Sequence, residues 1–346
     1  MSSVKLFPVS QNNKYGFINN TGQMIIQPQF DYVWGFSEGL AAIETDQKWG
    51  FINETRVIKI EPQYDYAWLF IGGVARVRIK GRHSLIDKQG IIITKTQFRK
   101  FRYCFEGLIQ VQTNEGWGFI DKKGEIIVNP QFDRCGKFQE GLAFIETNGK
   151  YGFINKAGEI IIEPNFDSVR SFSEGLACIK LGEEYGYINK SGGITIETKF
   201  DTGLDFHNGL AQVEINKKIG YINKKGEIVI DPKSDFAATF KEGFAAIKNN
   251  GKWGFIDKNG DPVVEPQFEY IGDFSEGLAS VRVGKSYGFI NKDGKIVIEP
   301  HFDSVGVFTE GIAEVWVDVD NSGKMGYIDK NGKYIWEPQE YSTIYL

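Results

Sequence analysis

The residue types best suited to recognition are concentrated in one part of the chain. Six of the nine arginines lie between residues 56 and 102, together with histidine, tyrosine and tryptophan. Guanidinium groups beside aromatic faces suit an anionic ligand, and Arg, Trp and Tyr dominate protein interfaces. We therefore predict a binding surface formed by Trp34, Tyr66, Trp68, Arg76, Arg78, Arg82, His83, Arg99, Arg102 and Tyr103. The competing interpretation is a solvated polar face that binds nothing.

Two sets of acidic residues indicate other chemistry. A glutamate before glycine recurs at Glu38, Glu106, Glu140, Glu174, Glu242, Glu276 and Glu310. Acid–base catalysis needs two carboxylates in distinct environments, so a repeated glutamate is better explained as a backbone partner or a solvated side chain. Residues 318–329 partly fit a calcium loop, with candidate ligands Asp318, Asp320, Ser322 and Asp329. Asp rather than Glu ends that template and strands flank it, so an elongated hairpin is the preferred interpretation and no metal is expected.

No pattern of an established catalytic or cofactor chemistry is present. The three histidines are too dispersed for a metal cluster. Cys104, Cys135 and Cys178 are odd in number and far apart, which is typical of reduced, buried thiols. Nucleophile-elbow, phosphate-loop and dinucleotide-binding motifs are missing. We therefore expect no enzymatic activity and no cofactor.

Charge and composition limit the classes of partner that we expect. The 40 basic and 45 acidic residues give a net charge of -5, so no global field favours nucleic acid or a membrane surface. The first residues, MSSVKLFPVS, lack the apolar core of a signal peptide, and no apolar run is long enough to span a bilayer. We expect a cytoplasmic location and a protein partner, with an anionic ligand as a further expectation at the second and third copies.

A repeat sets the positions of all these residues. Glycine follows an aromatic or apolar residue at Gly16, Gly50, Gly118, Gly152, Gly186, Gly220, Gly254 and Gly288, always 34 or 68 residues apart, and Ser84 interrupts the series. A catalytic motif is normally needed once, so a motif of this frequency is architectural. One array fills residues 4–346, with units that start near 4, 38, 72, 106, 140, 174, 208, 242, 276 and 310.

Each copy predicts four short strands, in the segments EGLAxV, WGFID, GEIIIEP and FDxVxxF. The NKKG and DKNG sequences suit hairpin turns, and the proline of EP marks a strand end. In WGFID the two faces alternate, and both carry apolar or minimal side chains that neighbouring copies must cover. Truncating Trp253 to alanine is expected to cost about 3–5 kcal/mol.

These segments predict an all-β fold of ten 34-residue antiparallel β-meanders. Because the sequence shows no strand offset between its two ends, we favour an open β-solenoid or superhelix. A closed, ten-bladed β-propeller-like ring is the alternative, since a short meander every 34 residues also suits a compact blade.

The recurring pattern [KG][WY]GFI[ND]KxGExIIxPxFDxVxxFxEGLAxI resembles the bacterial WG-repeat proteins, also called WG-containing or KWG repeats. The resemblance covers nearly the whole chain and implies a β-repeat interaction module without an assigned catalytic activity. The third copy departs from the pattern, because RHSLID replaces the motif and TKTQFRKF replaces EPQFD.

These observations favour a non-enzymatic scaffold that binds a protein or another macromolecule through an extended surface centred on the second and third copies. The alternative is a multivalent lectin-like or small-molecule binder with equivalent pockets in many copies. Against it, the aromatic residues expected to be exposed, Trp34 and Trp68, are not repeated after the second copy.

Overall fold

Short strands joined by tight turns make up the part of the chain that the structure describes. A computed structural model describes residues 5–94, 98–318 and 323–340, and these residues form 38 strands and no helix. The strands form ten antiparallel sheets, and within each sheet the strands that follow one another along the chain are neighbours. The all-β meander prediction is therefore confirmed.

The strands are numbered β1 to β38, and the sheets 1 to 10, in chain order. Sheet 1 comprises β1 (Phe7–Gln11), β2 (Lys14–Ile18) and β3 (Met24–Phe30); sheet 2, β4 (Tyr32–Val33), β5 (Leu40–Thr45), β6 (Lys48–Asn53) and β7 (Ile58–Tyr64); sheet 3, β8 (Tyr66–Ile71), β9 (Val74–Ile79) and β10 (Arg82–Asp87). Sheet 4 comprises β11 (Lys100–Phe105), β12 (Leu108–Gln112), β13 (Trp117–Ile120) and β14 (Ile126–Phe132); sheet 5, β15 (Arg134–Cys135), β16 (Leu142–Thr147), β17 (Lys150–Asn155) and β18 (Ile160–Phe166); sheet 6, β19 (Ser168–Val169), β20 (Leu176–Leu181), β21 (Glu184–Asn189) and β22 (Ile194–Phe200). Sheet 7 comprises β23 (Thr202–Gly203), β24 (Leu210–Ile215), β25 (Lys218–Asn223) and β26 (Ile228–Ser234); sheet 8, β27 (Phe236–Ala237), β28 (Phe244–Asn249), β29 (Lys252–Asp257) and β30 (Pro262–Phe268). Sheet 9 comprises β31 (Tyr270–Ile271), β32 (Ala279–Val283), β33 (Ser286–Ile290) and β34 (Ile296–Phe302); sheet 10, β35 (Ser304–Val305), β36 (Ile312–Val317), β37 (Lys324–Asp329) and β38 (Tyr334–Glu340).

The sheets are distributed over two compact units. Unit 1 contains residues 1–69, 77–82 and 240–346, and unit 2 contains residues 70–76 and 83–239. Sheets 1, 2, 9 and 10 lie in unit 1, and sheets 4 to 7 lie in unit 2. The residues of each strand of sheet 3 are divided between the two units, and in sheet 8 β27 lies in unit 2 and the other strands lie in unit 1.

Local sequence explains the turn at the centre of every copy. In sheet 5 the side-chain oxygen of Asn155 accepts the backbone N–H groups of Ala157 and Glu159, each at 3.0 Å. The N–H of Gly158 donates to the Asn155 carbonyl at 3.0 Å, and Gly158 has a φ of +84° that glycine adopts at little cost. The same two side-chain bonds form at Asn19, Asn53, Asp87, Asp121, Asn189, Asn223, Asp257, Asn291 and Asp329.

The repeated glycine of the motif lets two strands approach closely. In sheet 5 a Cβ added at Gly152 would lie no more than 2.7 Å from both the Ile162 carbonyl oxygen and the Pro164 nitrogen. Between Tyr151 and Phe153 the register of β17 against β18 shifts, as it does at a β-bulge. The same approach, within 2.7 Å of a carbonyl oxygen, recurs at Gly16, Gly50, Gly118, Gly186, Gly220, Gly254, Gly288 and Gly326. The motif is therefore architectural, as its frequency predicts.

Within each unit, pairs of aromatic rings join successive sheets. In unit 2 the ring centroids of Phe119 in sheet 4 and Phe138 in sheet 5 are 4.7 Å apart, with an interplanar angle of 61°. Phe153 and Phe172 repeat the contact between sheets 5 and 6 at 4.8 Å. All four rings are almost completely buried, and such edge-to-face geometry is favourable between aromatic side chains. In unit 1 the equivalent pairs are Phe17 with Phe36, Phe255 with Phe274, and Phe289 with Phe308.

The aromatic residue that opens the motif differs in burial from copy to copy: Trp49 is 1% exposed, whereas Trp253 is less buried. Trp253 is half-buried, and the Lys248 ammonium lies 5.4 Å from its ring centre. Phe255, two residues later, is 1% exposed. The cost of about 3–5 kcal/mol at Trp253 stays a prediction, and the complete burial of Phe255 gives a stronger reason to expect a cost of that size there.

A glutamate and a lysine connect each of several sheets to its successor. In unit 2 the Glu174 carboxylate accepts the Gly209 N–H at 3.0 Å and the Lys224 ammonium at 3.1 Å. Equivalent bonds form in unit 2 at Glu106 and Glu140, and in unit 1 at Glu242 and Glu276. These glutamates are backbone partners, as the sequence indicates.

The two ends of the array meet within unit 1. Phe7 and Val9 of β1 pack in one cluster with Ile312 and Tyr327 of sheet 10. The Tyr327 hydroxyl donates to the Pro8 carbonyl at 3.1 Å. An open array has no contact between its ends, so the open solenoid is wrong and the closed, propeller-like alternative is the arrangement found.

The contact between the ends has the same form as the contact between successive sheets. The Asn20 side chain donates to the Glu310 carbonyl at 2.9 Å, as Lys330 donates to the Glu276 carbonyl at 3.0 Å. A strand offset between the two ends is hidden when the EGLA strand is taken as the start of each unit. The sheets begin earlier, at the two-residue strand, for example at Ser168 in sheet 6.

Candidate binding site in unit 2

The third copy lacks the aromatic pair that joins other sheets. Leu85 and Cys104 occupy the positions that correspond to Phe119 and Phe138. Both are buried in one cluster, at 1% and 3% exposure, and Phe101 packs against them. Two phenylalanine rings fill more space than a leucine and a cysteine, so this copy has a volume deficit that Phe101 fills only in part.

A pocket of about 490 Å³ adjoins this cluster. Its size falls in the range of about 300–1,000 Å³ that is usual for small-molecule sites. Its apolar lining consists of Leu85, Phe101, Phe105 and Phe144. Arg76, Arg102, Lys137 and Gln110 supply its longer polar side chains. Among the described residues, no aspartate or glutamate lines it.

Phe144 reaches the pocket because glycine stands opposite it. A Cβ added at Gly136 would clash with the Phe144 ring, and the Gly136 N–H donates to the Phe144 carbonyl at 2.9 Å. In sheet 2 the equivalent pair is Trp34 and Ala42, joined by the same backbone bond at 2.9 Å. The large side chain has therefore moved from one strand to the other.

Four of the predicted residues line a second, shallower hollow of about 260 Å³ beside the pocket: Arg76, His83, Arg99 and Arg102. Lys100, Phe101 and Trp117 complete the lining. The guanidinium carbon of Arg102 lies 5.0 Å from the centre of the Trp117 ring, within cation–π range. In the described part of the chain, no acidic residue lines this hollow either.

Five of the other predicted residues lie in unit 1: Trp34, Tyr66, Trp68, Arg78 and Arg82. The ring centroids of Tyr66 and Trp68 are 4.4 Å apart, and the Arg78 guanidinium lies 5.8 Å from the Tyr66 ring centre. Tyr66 is buried, which raises the pKa of its hydroxyl, and Trp34 and Trp68 are half-buried rather than exposed. These rings therefore have a clear packing role. Arg82 is exposed.

The side chain of Tyr103 is outside the described part of the structure. The residues that sequence reasoning missed are Phe101, Phe105, Trp117, Lys137 and Phe144. A signal for two of them is present in the repeat. Phe101 stands in a column that otherwise holds small or aliphatic residues, and Phe144 stands opposite Gly136.

The remaining candidates give no further site. Asp320 and Ser322 of the calcium-loop candidate lie outside the described residues, and Asp329 accepts the two turn amides found in every copy. Within the described ranges, no group of three or more His, Cys, Asp or Glu side chains is arranged to hold a metal ion. Burial raises the pKa of Cys135 to about 11 and that of Cys178 to about 12.

No helix in the described residues is long and apolar enough to cross a membrane.

Ten antiparallel sheets with recurring contacts, and ends that meet, define a propeller-like β-repeat protein. Within that class, the chain belongs to the WG-containing repeat family, whose repeat matches residues 15–49, 49–82, 117–151, 151–185, 185–218, 219–253, 253–286 and 287–317. The matches leave out most of the third copy, which contributes to the pocket. None of the curated proteins matches the chain in sequence.

Solved structures resemble the chain in fold. A structure described as the eukaryotic initiation factor has a TM-score of 0.57 and 11% identity, over 88% of this chain and 97% of that chain. PorZ, a bacterial surface component of the type-IX secretion system of Porphyromonas gingivalis, has a TM-score of 0.32 and 10% identity, over 99% of this chain and 53% of PorZ. The first likeness supports the fold alone, and the second is too weak to support an argument.

Proposed function

We propose that this protein is a non-enzymatic scaffold that binds an acidic segment of a protein partner at the hollow in unit 2. A propeller-like repeat fold is in general suited to protein interaction, because repeated contacts maintain the fold while irregular positions supply specificity. The observation that carries the proposal is the concentration of cationic side chains around Trp117 without an acidic neighbour in the lining.

The charge of the hollow contrasts with the rest of the chain. Arg76, Arg99, Lys100 and Arg102 line it, although the chain carries a net charge of -5. In several regular copies the lysine that follows the turn Asn or Asp is paired with a glutamate, as Lys224 is with Glu174. Cationic side chains beside an aromatic ring attract carboxylates over a distance and hold them at short range. All the lining residues except Trp117 belong to the irregular third copy, so we propose one site rather than many equivalent ones.

Charge reversal tests this function with a defined probe. The double variant Arg99→Glu, Arg102→Glu should bind a fluorescent ten-residue polyglutamate peptide at least about tenfold more weakly than the wild type. The control Lys217→Glu, Lys225→Glu makes the same change in net charge on the exposed surface of sheet 7 and should bind as the wild type does. Fluorescence anisotropy measures the affinity, and thermal melting checks that both variants fold.

Equal weakening in both double variants would show attraction by net charge alone and would contradict a local site. Unchanged binding in the arginine variant would contradict it as well. Capture from lysate with the wild type, compared with the arginine variant and identified by mass spectrometry, then names the partner.

A further inference from the structure

We infer that the pocket beside the hollow binds a small organic anion with an apolar body, such as an aliphatic or aromatic carboxylate. This ligand is additional to the acidic protein segment, and the inference does not depend on the proposed function. It rests on the shape of the pocket, on the chemistry of its two kinds of lining and on the origin of its volume in the third copy.

The apolar lining accounts for the body of the ligand. Leu85, Phe101, Phe105 and Phe144 surround a space of about 490 Å³. Transfer of aliphatic or aromatic groups from water onto such side chains is favourable in proportion to the area buried. A fully polar anion, such as phosphate, would leave this lining without a partner and is therefore disfavoured.

The cationic side chains account for the charge of the ligand. Arg102 lies against the Trp117 ring at 5.0 Å, and the Lys137 ammonium lies 5.1 Å from the centre of the Phe105 ring. Aromatic rings hold these cations near the pocket without neutralising them. Guanidinium and ammonium groups both form strong, charge-assisted hydrogen bonds with a carboxylate. A neutral ligand with the same body would gain the apolar contacts alone.

The volume of the pocket follows from the residues that the third copy has lost. In the regular copies a phenylalanine or a tyrosine occupies the position of Leu85. That ring packs against a second one, as Phe119 packs against Phe138 at 4.7 Å. Phenylalanine at position 85 would therefore restore the regular residue and take up space in the pocket. This change is expected to close the site while the surface charge stays the same.

Titration calorimetry with octanoate and 1-octanol tests the inference on the full chain. The wild type should bind octanoate at one site and 1-octanol at least about tenfold more weakly, because the alcohol lacks the charged hydrogen bonds. Leu85→Phe should abolish octanoate binding. Lys137→Ala should weaken octanoate binding by about tenfold and leave 1-octanol binding unchanged, whereas the control Lys217→Ala should alter neither.

Three results would overturn the inference: no octanoate binding to the wild type at millimolar concentration, equal affinity for octanoate and 1-octanol, or unchanged octanoate binding in a folded Leu85→Phe variant. If Leu85→Phe does not fold, the exposed position Lys137 decides the question through the octanoate-to-octanol ratio. Arg99→Glu separates the two proposals, because it should weaken peptide binding at the hollow and spare octanoate binding in the pocket.

Discussion

Alanine at Gly50 should destabilise the protein, whereas alanine at Gly35 in the same sheet should not. A Cβ added at Gly50 would lie no more than 2.6 Å from both the Ile60 carbonyl oxygen and the Pro62 nitrogen. A Cβ added at Gly35 would meet no heavy atom within 4 Å, and the backbone there is not left-handed. The pair of variants therefore separates the close approach of two strands from the general effect of replacing a glycine.

The expected loss of stability in Gly50→Ala follows from the atoms that the new methyl group would meet. Overpacking of a buried site costs about 1–3 kcal/mol, and less when a flexible side chain can move aside. The neighbours of Gly50 are backbone atoms of β7, so we expect the upper end, about 3 kcal/mol. At Gly35 the loss of freedom in the unfolded chain should give no cost or a gain of up to about 1 kcal/mol.

Urea denaturation followed by tryptophan fluorescence measures the difference. At an unchanged m value, the shift of the midpoint reports the change in the free energy of unfolding. Equal stability of Gly50→Ala and the wild type would refute the close-approach explanation of the motif. An equal loss in both variants would attribute the effect to backbone conformation in general.

Three further predictions address the remaining contacts. Burial alone would raise the pKa of Glu174, but the Lys224 ammonium and a backbone amide outweigh burial and lower that pKa below its ordinary value of 4.5. The ionised Glu174 carboxylate therefore stabilises the folded protein above pH 4.5, and this stabilisation is lost as the pH falls through the pKa of the folded state. Glu174→Gln should therefore flatten the acid side of a plot of melting temperature against pH. Phe255→Ala should cost about 3–5 kcal/mol in urea denaturation, clearly more than Trp253→Ala, and the reverse order would contradict the burial of the two rings. Burial raises the pKa of Cys178 to about 12, so iodoacetamide at pH near 8 should label it only after unfolding, as mass spectrometry can show.

The parts of the fold that depend on neighbouring residues could be predicted from sequence. The NKxG turns, the strand ends at proline and the four-strand meander each follow from a few adjacent residues whose conformational preferences agree. The role of the repeated glutamate as a backbone partner could also be predicted from the sequence, because its position before a glycine recurs in register. The partners of this glutamate could not be predicted from a single copy. For Glu174 they are an amide 35 residues later and a lysine 50 residues later.

Closure of the array could not be predicted because it depends on contacts between residues at opposite ends of the chain. The bond from Tyr327 to Pro8 spans 319 residues, and neither residue alone indicates the contact. The exposure predicted for Trp34 and Trp68 was wrong for a related reason. Their half-burial comes from rings such as Tyr66, which packs against Trp68 in sheet 3.

The candidate site could be predicted in part from the sequence. Its charged residues differ visibly from those of the regular repeat, whereas its cavity leaves no such sign in the sequence. Arg76, Arg99 and Arg102 were recognisable as unusual residue types, and the structure places them around one hollow. The pocket adjoins the cluster in which the smaller residues Leu85 and Cys104 lie, and a difference in side-chain volume becomes visible only when the side chains are placed in space.

In the regular copies recurring residues maintain the fold, and in our proposal the irregular third copy supplies most of the binding residues. In a repeat array each sheet contacts only its neighbours, so the loss of one aromatic pair leaves the other pairs intact. The third copy can therefore exchange phenylalanine for Leu85 and Cys104 at a local cost. Leu85 also belongs to the apolar lining of the pocket beside Arg102. Departures from an otherwise consistent pattern are expected at functional sites, where binding rather than packing determines the residue. The loss of the motif and most of the cationic side chains of the hollow thus coincide in the third copy, and the cavity lies where that copy meets residues of the next two.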